Sequence, residues 1–140
     1  MVGLVLATHG RLAEEMVATA EQIVGTLPAV ATCSIDPTAS PQQIRQSMRE
    51  AVASVDSGEG ALALVDLFGG TPCKEALMLC QPCHLEVVTG VNLPMLLKAH
   101  SLRQEPMALP DLAHTLAQHA QKTITCASDL IRDAHQARRS

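Results

Sequence analysis

A histidine and an aspartate occupy equivalent places in this chain, because each stands at the C-terminal end of a short apolar run. His9 stands just beyond the run Val2–Ala7, and Asp66 closes the run that starts at Ala61. Both runs are rich in valine, leucine and alanine, which is typical of buried parallel strands. The carboxyl edge of such a sheet is where ligands gather. We therefore expect His9 and Asp66 to meet at that edge.

Glycine-rich helix starts accompany both residues. Gly10 and Arg11 follow the histidine, and the turn Gly69–Pro72 follows the aspartate. Free backbone N–H groups at a helix start bind phosphoryl oxygens, and glycine lets that backbone approach closely. A carboxylate can also hold one ring nitrogen of a histidine and leave the other free to react. The pattern indicates phosphoryl transfer on His9, with Asp66 as its catalytic partner and with phosphoryl-binding groups at Thr8, Gly10, Arg11, Gly69, Gly70 and Thr71.

Two of these residues have a second interpretation. The Thr8 hydroxyl either donates to the phosphoryl group or satisfies the end of the strand. Arg11 either clamps phosphoryl oxygens or is a solvated charge in the first turn of a helix.

Composition limits the class of protein. With 140 residues, 47% of them apolar and 17% charged, the chain suits one compact domain. The net charge is −4 and the basic residues are scattered, so we expect no binding to nucleic acid. No apolar run approaches the roughly 20 residues that cross a bilayer, and none resembles a secretory signal. We expect a cytoplasmic protein without direct membrane insertion, whose five cysteines stay reduced.

Strands and helices alternate along the chain, which predicts an α/β fold. Right-handed crossovers then give a doubly wound, mostly parallel sheet, for which we expect the flavodoxin-like order 2-1-3-4. We predict one domain over residues 1–128 and a polar C-terminal tail over 129–140. The predicted strands are Val2–Thr8, Ala29–Ile35, Ala61–Asp66 and Leu85–Thr89.

Three segments, Thr8–Gly10, Val65–Pro72 and Gly90–Met95, occur in the order and spacing of a known family. The chain resembles the IIA components of the mannose/fructose class of the bacterial phosphoenolpyruvate-dependent sugar phosphotransferase system. The resemblance implies a phosphotransferase in which His9 accepts a phosphoryl group from the phosphocarrier HPr, through Nε2, and passes it to a IIB component. It implies that Asp66 hydrogen-bonds the histidine and that no metal or organic cofactor is needed. It also implies a homodimer with an exchanged antiparallel edge strand, for which Thr123–Cys126 is the candidate.

Three residues near the predicted site are candidates for docking a protein partner. Phe68 is the single aromatic residue of the chain, and Asn92 lies in the third matching segment. Lys74 stands where the family often has asparagine. Ordinary core packing is the other interpretation of Phe68, and a solvated side chain is that of Lys74.

Two other functions are consistent with the residues. One is a regulatory module that is phosphorylated on His9 but transports nothing. The other is a thiol or zinc module built on Cys80, Cys83 and His84, with Cys73 as a further ligand. Small buried thiols are the simpler interpretation of these cysteines.

Overall fold

The computed structural model of the protein describes residues 1–139 and contains one parallel sheet. Its strands are β1 (Gly3–His9), β2 (Val30–Ile35), β3 (Ala61–Val65) and β4 (Leu85–Thr89), in the order β2-β1-β3-β4. All three strand pairings are parallel. The predicted α/β class and the predicted strand order are confirmed.

Helices cover both faces of this sheet, because strand side chains alternate between the faces. The described helices are α1 (Leu12–Val24), α2 (Pro41–Val55), α3 (Thr71–Met78), α4 (Leu93–Leu102), α5 (Leu109–Thr123) and α6 (Ala127–Arg139). Leu4, Leu6 and Leu64 point into a core shared with helices α1, α4 and α5, whereas Val5, Ala7 and Val65 point into a core shared with α2 and α3.

Local capping explains where two of the helices begin. The Ser40 hydroxyl accepts a hydrogen bond from the N–H of Gln43, and the Gln43 side chain accepts one from the N–H of Ser40. This capping box, with Pro41 at the first helical position, starts α2 as its sequence predicts. Asn92 starts α4 in a similar way, since its side-chain oxygen accepts from the N–H of Met95 at 2.9 Å.

The topology brings the two candidate strand ends together. β1 and β3 are neighbours in the middle of the sheet, with Ala7 paired with Val65. Helix α1 leaves β1 toward one face and α3 leaves β3 toward the other. His9 and Asp66 therefore lie at the switch point, where the chain opens a crevice at the carboxyl edge.

The structure does not show the predicted edge strand at Thr123–Cys126. Thr123 is the last residue of α5, and its hydroxyl donates to the carbonyl of Ala120 at 2.7 Å. Residues 124–126 connect α5 to α6. The backbone on either side makes local helical hydrogen bonds, whereas a strand here would require a strand edge to pair with.

The polar segment after residue 128 is helical up to residue 139, and Ser140 lies outside the described residues. Within α6 no side chain is buried; Leu130 is 64% exposed and Ile131 is 75% exposed. None of the helices in residues 1–139 has the length and apolar character required to cross a membrane.

Candidate active site

His9 and Asp66 contact each other directly at the carboxyl edge of the sheet. Asp66 Oδ2 lies 2.9 Å from His9 Nδ1 and also accepts the backbone N–H of His9 at 2.9 Å. The other oxygen, Oδ1, accepts the N–H of Leu67 at 2.9 Å. The carboxylate is thus fixed by three hydrogen bonds, and it fixes both the backbone and the ring of the histidine.

The electrostatics of Asp66 favour the ionised form. Its side chain is 11% exposed, and burial alone would raise its pKa. The hydrogen bonds from the His9 backbone and ring, and from Leu67, outweigh this effect and hold the pKa of Asp66 below its ordinary value. A carboxylate that faces Nδ1 favours the tautomer with a proton on that nitrogen.

The opposite side of the His9 ring is accessible. The side chain is 51% exposed, and Nε2 lies on the edge of the ring away from the carboxylate. The ring also lies against Gly70, since a Cβ built on that glycine would be 3.1 Å from His9 Cε1 and 3.7 Å from Nε2. A side chain at Gly70 would crowd the reactive edge, so glycine keeps that edge open.

Two left-handed backbone turns follow the two site residues along the chain. Gly10 has φ +56° and Gly69 has φ +88°, and both values belong to the left-handed region that favours glycine. Gly70 is the N-cap of α3, and no side chain in residues 1–139 caps this helix start. The first amides of α3, beginning with the exposed Thr71, can therefore bind an anion.

Thr8 has a structural position, contrary to the prediction that its hydroxyl touches the phosphoryl group. The residue is fully buried, and its Oγ1 accepts the N–H of Ala13 at 2.8 Å. Arg11, the N-cap residue of α1, makes no side-chain cap with the described residues. The Thr8 hydroxyl oxygen takes over this capping role. The Thr8 oxygen therefore satisfies a backbone group in the first turn of α1, beside the end of the strand.

Arg11 lies over its own helix. Its guanidinium is 3.6 Å from Glu14 and 3.7 Å from Glu15, and its side chain is 78% exposed. The structure therefore does not place Arg11 on the His9 ring, although its exposed side chain is free to rotate.

The three candidate docking residues have different environments. Phe68 is 83% exposed, which excludes ordinary core packing, and it lines a groove of about 520 Å³ that extends to Asn92 and Ile124. Lys74 is exposed and forms no ion pair with any residue among 1–139. Asn92 is half-buried and serves as the cap of α4.

The structure does not bring the cysteine cluster together as a metal site. Within residues 1–139, no three His, Cys, Asp or Glu side chains are arranged to hold a metal ion. Cys73 is buried at the start of α3, whereas His84 packs against Gly60 at the amino edge of the sheet. Burial raises the pKa of the Cys80 thiol, which makes it a poor nucleophile. The zinc interpretation has no support in this structure.

One buried pair, formed between α2 and α3, was not expected from the sequence. Glu75, only 2% exposed, accepts a hydrogen bond from Nε of Arg45 at 2.8 Å. The signal in the sequence was a glutamate between Cys73 and Ala76, on the apolar face of a short helix. A carboxylate at such a position requires a cationic partner.

The fold and the site together define a class of protein: a doubly wound α/β domain with an accessible histidine held by an aspartate at the switch point. The family model described as "EIIA-man: PTS system fructose IIA component", where PTS is the phosphotransferase system, matches residues 3–117. The chain therefore belongs to the mannose/fructose IIA family of the phosphotransferase system. Phosphoryl transfer is the general role of this system.

Individual relatives agree with this assignment. The chain is 30% identical over 112 residues to the PTS system mannose-specific EIIAB component of Escherichia coli (strain K12), which covers 79% of this chain and 35% of that relative. It is 34% identical over 89 residues to the PTS system fructose-specific EIIA component of Bacillus subtilis (strain 168), covering 63% of this chain and 60% of the relative. This chain thus spans about a third of the length of the EIIAB relative.

A solved structure is also similar. The mannose/sorbose specific IIA subunit of the phosphotransferase system from Enterococcus faecalis has a TM-score of 0.78 and 33% sequence identity, covering 89% of this chain and 92% of that structure.

Proposed function

We propose that the protein is a phosphocarrier that takes a phosphoryl group from the phosphohistidine of HPr onto Nε2 of His9 and passes it to a IIB component. The observation that carries this proposal is the contact between His9 Nδ1 and Asp66 Oδ2 at 2.9 Å, which leaves Nε2 as the open nitrogen of a half-exposed ring.

The transfer step needs only His9 and Asp66 from this chain. The lone pair on His9 Nε2 attacks phosphorus, a new N–P bond forms, and the N–P bond of the donor breaks with its electron pair returning to the donor imidazole. The proton on His9 Nδ1 stays in place. The phosphorylated ring then carries a positive charge, which the Asp66 carboxylate neutralises across the existing hydrogen bond. No metal or organic cofactor takes part in this scheme.

The helix starts supply the binding of the phosphoryl oxygens. Gly70 lies against the ring and Thr71 follows it as the first residue of α3, while Gly10 and Gly69 provide left-handed turns after His9 and Asp66. Phosphoryl transfer needs mainly positioning and charge stabilisation, which these groups provide. Arg11 reaches the phosphoryl group in this scheme by leaving Glu14 and Glu15.

Partner docking would use the exposed surface beside the site. Phe68 provides an apolar anchor, and Lys74 adds a cation on the same helix start. HPr and the IIB component would use this surface in turn, since both must reach the same nitrogen. A cytoplasmic location follows from these partners, and a homodimer is proposed from the family. The outer edge of β4, which has no neighbouring strand in residues 1–139, is its candidate contact.

The test is phosphorylation in vitro with phosphoenolpyruvate, enzyme I and HPr, followed by ³¹P NMR and intact mass. We expect an acid-labile phosphoramidate on the wild type and none on His9→Ala. A charged HPr that fails to label the wild type would refute the proposal.

The regulatory alternative predicts the same label on His9. Addition of a purified IIB component separates the two functions, because a phosphocarrier discharges to IIB and a purely regulatory module does not.

A further inference from the structure

The Arg45–Glu75 pair joins α2 to α3 one turn from the start of α3. The Glu75 carboxylate is 2% exposed and accepts from Arg45 Nε at 2.8 Å, while Arg45 Nη2 donates to Sδ of Met78 at 3.2 Å. The side chain of Arg45 is 32% exposed. One guanidinium from α2 thus contacts α3 at two positions, three residues apart.

Helix α3 is short enough for this contact to set its position. It has eight residues, a length of about 12 Å at 1.5 Å per residue. Glu75 lies one turn after Thr71, and the residue before Thr71 is Gly70, whose backbone packs against the His9 ring. A shift of Glu75 therefore moves the first amides of α3 relative to Nε2.

Apolar packing already attaches α3 to the sheet. Cys73 and Ala76 are 1% exposed, and Leu79 just beyond the helix is fully buried. Such contacts tolerate small sliding, because they have no preferred direction. A hydrogen-bonded ion pair has a defined direction and distance, although it adds little stability over an apolar pair of similar size. The pair thus restricts the position of α3 more than it stabilises the fold.

We propose that Arg45 and Glu75 form a positioning pair that sets the start of α3 against His9 for phosphoryl transfer. This inference rests on the proposed function, in which the Gly70 and Thr71 amides bind the phosphoryl oxygens. Neither Arg45 nor Glu75 touches the reacting atoms; both act through the backbone of α3.

The decisive variant replaces the pair by apolar side chains, Arg45→Met with Glu75→Leu. The matched control, Arg132→Gln with Asp129→Asn, removes an exposed ion pair on α6. Three quantities are measured on each: the melting temperature, the single-turnover rate over a range of phospho-HPr concentrations, and the NMR signals of the His9 Cε1–H and Gly70 N–H groups.

We expect the apolar variant to melt within about 4 °C of the wild type. Its transfer rate at saturating phospho-HPr should fall about tenfold, because the reacting groups are misplaced. The phospho-HPr concentration that gives half of this rate should change less than twofold. Both NMR signals should move, and the control should change none of the three quantities. A folded variant with the wild-type rate overturns the proposal, and so does a lower rate with both signals unmoved.

Glu75→Gln covers the case in which the apolar variant does not fold. It keeps the shape and the hydrogen bond but loses the charge, so we expect a two- to fourfold lower rate and smaller movements of the same signals. An unchanged rate with unmoved signals in this variant overturns the proposal. If the wild type accepts no phosphoryl group at all, the proposed function fails, and the two NMR signals alone decide whether the pair positions α3.

Discussion

Asp66→Asn is the substitution that most directly tests the chemistry of the site. The carboxylate accepts three hydrogen bonds, two from His9 and one from Leu67. An asparagine side chain has one accepting oxygen and one donating NH₂ group. It can keep both bonds from His9 only by turning its NH₂ group toward the N–H of Leu67, and it carries no charge to balance the phosphorylated ring.

The magnitude follows from the kind of hydrogen bond that is lost. A hydrogen bond to a charged group contributes about 1.5–3 kcal/mol, roughly twice a neutral one. The His9 ring is half exposed, so solvent weakens this interaction and the lower part of that range, about 1.5–2 kcal/mol, applies. At about 1.36 kcal/mol per factor of ten, transfer should slow about 10- to 30-fold. The equilibrium should also shift back toward phospho-HPr, because the charged product loses its counter-ion.

The assay is single-turnover transfer from phospho-HPr, quenched in base and resolved by intact mass. Asp56→Asn is the matched control, since Asp56 accepts the N–H groups of Gly58 and Gly60 in the loop before β3, at the far edge of the sheet. We expect the control to transfer at the wild-type rate. A rate within threefold of wild type for Asp66→Asn would refute the role given to this carboxylate.

The lowered pKa of Asp66 predicts that pH changes the stability difference between the wild type and Asp66→Asn. The pKa of Asp66 is lower in the folded protein than its ordinary value, so its stabilising contribution is complete above about pH 4. It is lost as the pH falls through the lowered pKa. The difference in unfolding free energy between wild type and Asp66→Asn, measured in urea, should therefore shrink as the pH falls from 6 to 2. A difference that stays constant over this range would contradict the hydrogen bonding described here.

Three further substitutions separate activity, docking and stability. Gly70 has a φ of −77°, which any residue adopts, but the Cβ of Gly70→Ala would lie 3.1 Å from His9 Cε1. Single-turnover transfer should therefore slow about 3- to 10-fold with little change in melting temperature; an unchanged rate would show that the ring moves aside freely. Phe68→Ala should raise the half-saturating phospho-HPr concentration about 5- to 30-fold. Ile131, an exposed apolar residue on α6, is the control, and Ile131→Ala should leave that concentration unchanged; equal effects of the two substitutions would exclude Phe68 as an anchor. The Cβ of Gly3→Ala would lie 2.5 Å from both the side chain and the carbonyl oxygen of Val55, at the end of α2. The free energy of unfolding in urea should therefore fall by about 2–3 kcal/mol; an unchanged value would mean that the end of α2 shifts to make room.

Short-range patterns in the sequence determined the elements that carry the site. Two apolar runs of strand length placed His9 and Asp66 at strand ends, and the order of strands and helices predicted the sheet order that the structure has. The capping box at Ser40 starts α2 because it depends on residues only three positions apart. The glycine-rich turn before Thr71 was expected at a helix start, and α3 begins there without a side-chain cap from the described residues.

The edge strand expected near the C-terminus is not seen in the described part of this chain. Thr123–Cys126 has the composition of a strand, yet a strand depends on a partner edge that is distant in sequence, and the structure continues in helices α5 and α6. The preference of a short segment for strand or helix is therefore settled by tertiary context.

The sequence by itself determined which residues could perform phosphoryl chemistry, since residue type and spacing fix the available groups. Only the tertiary structure decided how those groups are used. It buried Thr8, whose Oγ1 accepts a backbone N–H group, exposed Phe68 and turned His9 Nδ1 toward Asp66. It also paired Arg45 with Glu75, 30 residues apart. These outcomes depend on distances between elements that are remote in the chain, and such distances are set by how helices pack on the two faces of the sheet.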